Sequence, residues 1–190
     1  MTSITERKAW YDKCFITIDV KDGESAQVRS KTTSLEISGG GYDKEGIATH
    51  GGVINRFGRR QDWEISFDGI MTSHQDFDWI DHGVSSSATT ITSSEIKDCR
   101  VTFLWTDATC VTTATMAVPS ASEAYRESYA DLTLVDKGKV FNAGEHLQIN
   151  GITFRGSFED ADGNMNFRPT LAGTGSALSA LGSYAGSNKF

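Results

Sequence analysis

Three arginines, Arg56, Arg59 and Arg60, stand close together in the stretch NRFGRRQDWEISFDGIM. They could hold a phosphate, because a guanidinium donates paired hydrogen bonds to phosphate oxygens. A nucleic-acid surface normally adds further cations and interleaved aromatic residues, whereas here Asp62 and Glu64 follow directly. The pattern therefore favours a loop whose cations pair with carboxylates, either in the same subunit or in a neighbouring one.

A second group of residues has the composition of a metal site. His74, Asp78 and His82 recur at every fourth position, which would place them on one face of a helix. Imidazole and carboxylate groups are common metal ligands. The other members of this group are His50, Asp76 and Asp81. A solvated polar face has the same composition, and no Cys-x-x-Cys or His-Glu-x-x-His pattern accompanies these residues, so we predict no metal site.

The segment DADGN, residues 160–164, begins like a calcium-binding loop. It lacks the third acidic position before the glycine and the distal glutamate that such loops use. Asp162 and Gly163 are instead typical of a two-residue hairpin turn, because both tolerate a positive φ. We therefore predict a hairpin. The apolar residues expected to share one of its faces are Ile152, Phe154, Phe158, Met165 and Phe167.

No set of residues indicates nucleophilic catalysis. The chain has many serines but no Gly-x-Ser-x-Gly elbow, and its glycine clusters do not lead from a strand into a helix as a phosphate-binding loop must. With 25 Asp and Glu residues among 190, neighbouring carboxylates carry no specific signal. We therefore expect a protein that is not an enzyme and that binds no cofactor.

The overall composition indicates a single soluble domain over residues 1–190. Domains commonly hold roughly 100–200 residues, and 38% hydrophobic with 23% charged residues is ordinary for a globular protein. No apolar run approaches the roughly 20 residues of a membrane span, and the first 15 residues lack the apolar core of a signal peptide. The net charge of -7 disfavours non-specific binding to nucleic acid. We expect a protein made in the cytoplasm, with no membrane partner.

The three cysteines, Cys14, Cys99 and Cys110, are odd in number and widely spaced. This pattern is more typical of reduced core thiols than of a disulfide framework. A bridge between Cys99 and Cys110 remains the alternative.

Short runs that alternate apolar and polar residues predict that strands dominate the fold. The clearest runs are CFITIDV, TTSLEIS, DWEISFDGIM, RVTFLWT, YADLTLV and HLQIN. In DWEISFDGIM, the side chains of Trp63, Ile65 and Phe67 would share the inward face. One short helix is predicted from the N-cap Ser73 to the stop signal Gly83. The predicted fold is thus a mainly β sandwich or barrel with one short helix.

Two segments have no regular pattern. Residues 38–61 form a long inter-strand loop in this interpretation, and loops longer than about 12–15 residues are commonly functional. Residues 170–190 are rich in Gly, Ser and Ala. That composition predicts a flexible C-terminal tail, or an arm that becomes ordered on a partner.

The order of these elements resembles that of the tail tube, or major tail, proteins of long-tailed bacterial and archaeal viruses. The likeness rests on LEISGGGYDKEGIATHGG, then GRRQDWEISFDGIM, the predicted helix SHQDFDWI and the late INGITFRGSFEDADGNMNFRP. In that family a long loop follows an early strand, a Trp-bearing strand returns the chain to the barrel, and a helix follows. The likeness spans residues 10–170.

The resemblance implies a structural virion protein that assembles into hexameric rings, which stack into a tail tube. Its partners would be further copies of itself and other tail proteins, and viral DNA would pass through the lumen without specific binding. The loop 38–61 would then be an assembly loop that reaches a neighbouring subunit or ring. Arg56, Arg59 and Arg60 would meet carboxylates there.

A different class of function is a carbohydrate-binding or adhesive β-sandwich, in which exposed aromatic side chains stack on sugars. Trp10, Trp79 and Tyr125 are the residues that could serve in this way. A virion decoration protein lies between the two classes. A jelly-roll enzyme is a weaker third, because its usual metal ligands do not stand out.

Overall fold

In the computed structural model, the described part of the chain forms ten β-strands. The described residues are 14–21, 25–28, 31–70, 98–107, 115–120, 122–140, 148–173 and 175–190. The strands are β1 Cys14–Val20, β2 Ser25–Val28, β3 Lys31–Ser38, β4 Tyr42–Thr49, β5 Gly52–Arg60, β6 Trp63–Ile70, β7 Cys99–Thr106, β8 Ala124–Val140, β9 Gln148–Gly156 and β10 Phe167–Ala172. The prediction of a mainly β fold is confirmed. The predicted helix between Ser73 and Gly83 lies outside the described residues.

Eight of the strands form one curled antiparallel sheet. Its hydrogen-bonded order is β2-β1-β7-β8-β9-β6-β3, and β10 pairs with the first half of β8. The two end strands of this order are consecutive in the chain, because β2 ends at Val28 and β3 begins at Lys31. Three residues span at most about 11 Å. The sheet must therefore curl until its two edges lie near each other.

Strand β8 joins the two halves of the curled sheet. It is 17 residues long, pairs with β7 as far as Leu132 and pairs with β9 from Thr133 onward. Asp131 lies at the change of partner and has a φ of 54°, an uncommon value for a residue other than glycine. The half that contains β1, β7 and β10 is called the first layer below, and the half that contains β3, β6 and β9 the second layer.

The main core lies inside the curl, between the two layers. Ile65 and Phe67 of β6 are buried there against Phe103 of β7 and Phe154 of β9. Trp63 packs at the margin of the same core. The inward face predicted for this strand is therefore confirmed. Each such side chain stabilises the fold by about 1.5–3 kcal/mol when it is fully buried.

Two cysteines belong to this core. Cys99 is buried within it and Cys14 packs against it, as expected of core thiols. Burial, which disfavours the charged thiolate, raises the pKa of each thiol to about 12. Both thiols are therefore protonated and unreactive at neutral pH. Cys110, the other half of the alternative bridge, lies outside the described residues.

A second, smaller core covers the outer surface of the first layer. Leu104 of β7 and Ala124 of β8 pack there against Met116, Val118 and Leu178. The backbones of Val118 and Leu178 also exchange two hydrogen bonds, of 3.1 and 2.9 Å. The first layer is thus covered on both of its faces.

The prediction of a flexible tail over residues 170–190 is wrong for the part that the structure describes. Strand β10 takes in the first of these residues, up to Ala172. Residues 175–190, called the strap below, lie against the first layer, where Leu178 and Tyr184 are buried. Composition misleads here because a few anchoring side chains fix a segment whose other residues are small.

The predicted long loop 38–61 is instead mostly a β-hairpin. Strands β4 and β5 pair with each other in a separate two-stranded sheet. This hairpin, residues 42–60, is called the arm below. Its sequence does not alternate between apolar and polar residues, because neither of its faces is buried in the subunit, and the pattern that predicts strands is therefore absent.

Glycines form the bend between the arm and the curled sheet. The backbone N–H of Gly40 donates to Gln61 O at 3.0 Å, and Gln61 N–H donates to Gly41 O at 2.8 Å. Gly39 and Gly40 have φ values of 105° and 70°, which favour glycine. A Cβ on Gly40 would lie only 2.4 Å from the Trp63 ring. The backbone of the bend therefore packs directly on Trp63.

The chain reverses its direction at residues 160–164 as predicted, but the geometry of the turn is not the predicted one. The loop is closed by Asp160 N–H donating to Asn164 O at 2.9 Å, and Gly163 N–H donates to Asp160 O at 3.1 Å. Only Gly163 within it has a positive φ, so the two-residue turn predicted at Asp162 and Gly163 is wrong. Met165 is exposed and lies outside the predicted apolar face. Strand β10 then pairs with β8 instead of β9.

Gly40→Ala is expected to lower the free energy of unfolding by about 1–3 kcal/mol, because it combines an unfavourable φ with a clash against Trp63. The matched control is Gly51→Ala at the tip of the arm, where an added Cβ meets nothing within 4 Å. That control should lose no stability. Urea denaturation followed by tryptophan fluorescence measures both variants, and equal stability of the two would contradict the role of the bend.

Candidate assembly surface

The arm exposes both of its faces. Every residue from Gly41 to Arg59 is exposed, and the arm pairs with no other strand that the structure describes. An isolated two-stranded hairpin is at best marginally stable in water. The arm therefore has the properties of a segment that needs a partner.

Large apolar side chains lie on each face of the arm. Tyr42, Val53 and Phe57 share one face, where they are 54%, 67% and 63% exposed. Ile47 and Ile54 are cross-strand partners on the opposite face, 43% and 61% exposed. Clustered exposed apolar groups of this kind are typical of interaction surfaces.

Three arginines were predicted to contact a neighbouring subunit, and two of them, Arg56 and Arg59, are exposed cations on the arm. Arg56 lies opposite Glu45, on the face of Ile54. Arg59 forms an ion pair with Asp62, with 3.6 Å between Nη2 and Oδ1, and both side chains are largely exposed. Exposed pairs of this kind contribute only about 0–1 kcal/mol. Both guanidinium groups are therefore accessible to a neighbouring molecule.

Arg60 packs against its own subunit. Its guanidinium carbon lies 4.4 Å from the centroid of the Tyr42 ring and 4.0 Å from that of Phe158. Its Nε lies 3.9 Å from Oε1 of Glu159, a distance that gives an ion pair but is too long for a hydrogen bond. Arg60 thus attaches the root of the arm to the turn that precedes β10. Sequence reasoning missed this because Phe158 and Glu159 are distant along the chain.

The residues considered for metal binding do not form a site in the described part of the chain. His50 is exposed at the tip of the arm. Where the structure describes the chain, it brings no three His, Cys, Asp or Glu side chains together in a way that could hold a metal ion. The other candidates, His74, His82, Asp76, Asp78 and Asp81, lie outside the described residues.

Of the residues considered for stacking on sugars, Tyr125 engages its own subunit. Its ring stacks on Trp105, with 5.6 Å between the ring centroids, and its hydroxyl donates to the Glu127 carboxylate. Burial and this hydrogen bond raise the pKa of Tyr125 to about 12. Trp10 and Trp79 lie outside the described residues. Within the same described part, no helix is long and apolar enough to cross a membrane.

Arg60→Ala is expected to lower the free energy of unfolding by about 0.5–2 kcal/mol, because it removes two cation–π contacts from a partly buried site. The matched variant Arg59→Ala removes only an exposed ion pair and should change stability by less than about 0.5 kcal/mol. Thermal and urea denaturation compare the two. A loss of stability in Arg59→Ala as large as in Arg60→Ala would contradict this assignment of the two arginines.

No protein-family model and no curated protein sequence matches the chain. Among solved structures, it is similar to the tube-terminating cap of the anti-feeding prophage, at 14% identity and a TM-score of 0.45, over 83% of this chain and 88% of that one. The same values hold for the sheath–tube complex of an extracellular contractile injection system, PVC, in its extended state. The sheath/tube terminator of that system has 14% identity and a TM-score of 0.46, over 90% of this chain and 100% of that one.

Proposed function

We propose that this protein is a structural subunit of a virion tail tube, in which copies join through the arm into hexameric rings that stack around a DNA channel. The observation that carries the proposal is the arm itself, a hairpin with large apolar side chains on both faces and exposed cations beside them. The resemblance of the sequence to tail tube proteins supports the same role.

The two-sided exposure of the arm favours insertion between two neighbouring surfaces. A partner that covered only the face of Val53 and Phe57 would leave Ile47 and Ile54 in water. Full burial of each large apolar side chain contributes about 1.5–3 kcal/mol, and these contributions must offset the entropy lost on association. A contact in which the arm of one copy enters a different surface of the next is heterologous, and such contacts form a ring when the rotation between successive copies closes.

Charge complementarity supports other copies of this chain as the partner. The subunit has a net charge of -7, so carboxylates are abundant on a neighbour, while Arg56 and Arg59 are exposed on the arm. Opposite charges speed encounter and fix the register of an interface. The same excess of negative charge around a lumen would repel the DNA backbone, so the genome could slide without adhering.

Open strand edges support association as well. Strands β2, β3 and β10 each pair on one side only among the strands described here. Unpaired backbone N–H and C=O groups at a sheet edge can bind a strand of another molecule. Stacked rings, and the other proteins of a tail, would be the partners that cover such edges.

The double charge reversal Arg56→Glu with Arg59→Glu is expected to abolish or strongly reduce ring and tube formation, because it places like charges at the proposed contact. Arg60 is left intact because it holds the root of the arm. Negative-stain electron microscopy and sedimentation velocity of concentrated protein measure the assembly, and circular dichroism checks that the subunit remains folded.

The control for this experiment is the double variant Lys137→Glu with Arg155→Glu, which makes the same change in charge at exposed positions on β8 and β9. It should still assemble. Rings and tubes of normal length from the arm variant would overturn the proposal, as would intact protein that stays at subunit size at every concentration.

A further inference from the structure

Buried arginines hold the strap by its backbone. Arg100 donates from Nε and Nη2 to Oδ2 of Asp19, at 2.9 and 2.6 Å. Its Nη2 and Nη1 also donate to the carbonyl oxygens of Gly182 and Lys189, at 2.7 and 3.1 Å. Arg126 donates from Nη1 to the carbonyl of Ser179 at 2.7 Å. The strap is therefore anchored at several points along its length.

The surface beneath the strap is partly apolar and partly polar. Leu178 packs there in the second core, whereas Asp19 and Arg100 are buried on the outer surface of the first layer, and Thr17, Thr102 and Ser128 are buried in the same strands. Covering polar groups yields little hydrophobic free energy, and burying an ion pair carries a large desolvation cost. Retention of the strap therefore depends on its hydrogen bonds and ion pairs as well as on the burial of Leu178.

Lys189 connects the strap to two other parts of the fold. Its Nζ lies 2.8 Å from Oδ2 of Asp131, 2.7 Å from Oδ2 of Asp160 and 2.5 Å from Oδ1 of Asn166. Partial burial by itself would lower the pKa of Lys189, but the hydrogen bonds to Asp131 and Asp160 raise it above its ordinary value. The hydrogen bond from Lys189 is also the largest cause that holds the pKa of Asp160 well below its usual range.

Asp160 and Asn166, which accept hydrogen bonds from Lys189, lie in the turn that contacts Arg60 at the root of the arm. Buried Asn166 donates from its backbone N–H to Phe158 O at 2.8 Å and from Nδ2 to Ser157 O at 3.1 Å. Phe158 stacks on the Arg60 guanidinium at 4.0 Å. A continuous series of contacts therefore runs from the strap, through this turn, to the root of the arm.

We propose that the strap is a latch for the arm: the Lys189 ammonium, bound to Asp131, Asp160 and Asn166, fixes the 158–166 turn and thereby the position of Arg60 at the arm root. When the latch is closed, the arm is held in one orientation and is competent to enter a neighbouring subunit. When it opens, the turn loosens and the arm root with it. The role in assembly rests on the proposed function, whereas the coupling between strap and arm root does not.

The test is hydrogen–deuterium exchange of unassembled Lys189→Met, with Lys137→Met as the matched control. Lys137 is exposed on β8 and its loss removes the same charge. In Lys189→Met, the amides of the strap, of Asp160 to Asn166 and of Gly40 and Gln61 should exchange several-fold faster. The amides of Ile65 and Phe154 in the core should be unchanged, and in the control the amides of the strap, of Gly40 and of Gln61 should keep their wild-type rates.

Two results would overturn the latch. In one, strap amides exchange faster while the amides of Gly40 and Gln61 keep their wild-type rates, so the strap and the arm root are independent. In the other, no amide changes, so Lys189 does not hold the strap. Because the exchange is measured on single subunits, either result leaves the tail-tube proposal to be judged by its own assembly experiment.

Discussion

The packing of Trp63 connects the main core, the turn before β10 and the root of the arm. Its ring lies 5.1 Å from Tyr129, 5.5 Å from Phe158 and 5.2 Å from Phe167, measured between centroids. It thereby contacts β8, the turn before β10 and β10 itself. The glycine bend at Gly40 lies directly on its other side. One aromatic side chain thus fixes the core, the turn that holds Arg60 and the direction in which the arm leaves the sheet.

This arrangement separates the residues that stabilise the subunit from those that the proposed assembly would use. The apolar residues of β6 and its neighbours are buried within the subunit, whereas those of the arm are exposed and contribute to no core in the single chain. Arg60 packs against the subunit, as the residues of β6 do, whereas Arg56 and Arg59 are exposed with the residues of the arm. The bend allows the chain to pass from the exposed arm to the buried strand β6 within a few residues, because glycine permits both the φ values and the close approach to Trp63.

The structure was predicted best from the sequence in strands that bury one of their faces. Trp63, Ile65 and Phe67 alternate with polar residues, and the structure places them inward as expected. The arm was missed as a hairpin because exposure on both faces removes that alternation. The order of the strap was missed because its anchors, Arg100 and Lys189, act through partners far away in the chain. The difference between Arg60 and the other two arginines was missed for the same reason. It arises from the contact of Arg60 with Phe158, which is distant along the chain.

The proposed function requires that residues 43–59 of the arm drive assembly and contribute nothing to the core of the single subunit. The variant that tests this replaces residues 43–59 with a short Gly-Ser turn between Tyr42 and Arg60, which are paired across the root of the arm. The measurement is the sedimentation coefficient distribution of this variant and of the intact protein at matched concentrations. The expected result is a folded variant that remains at subunit size where the intact protein forms rings or tubes. Assembly of the armless variant to the same extent would contradict it.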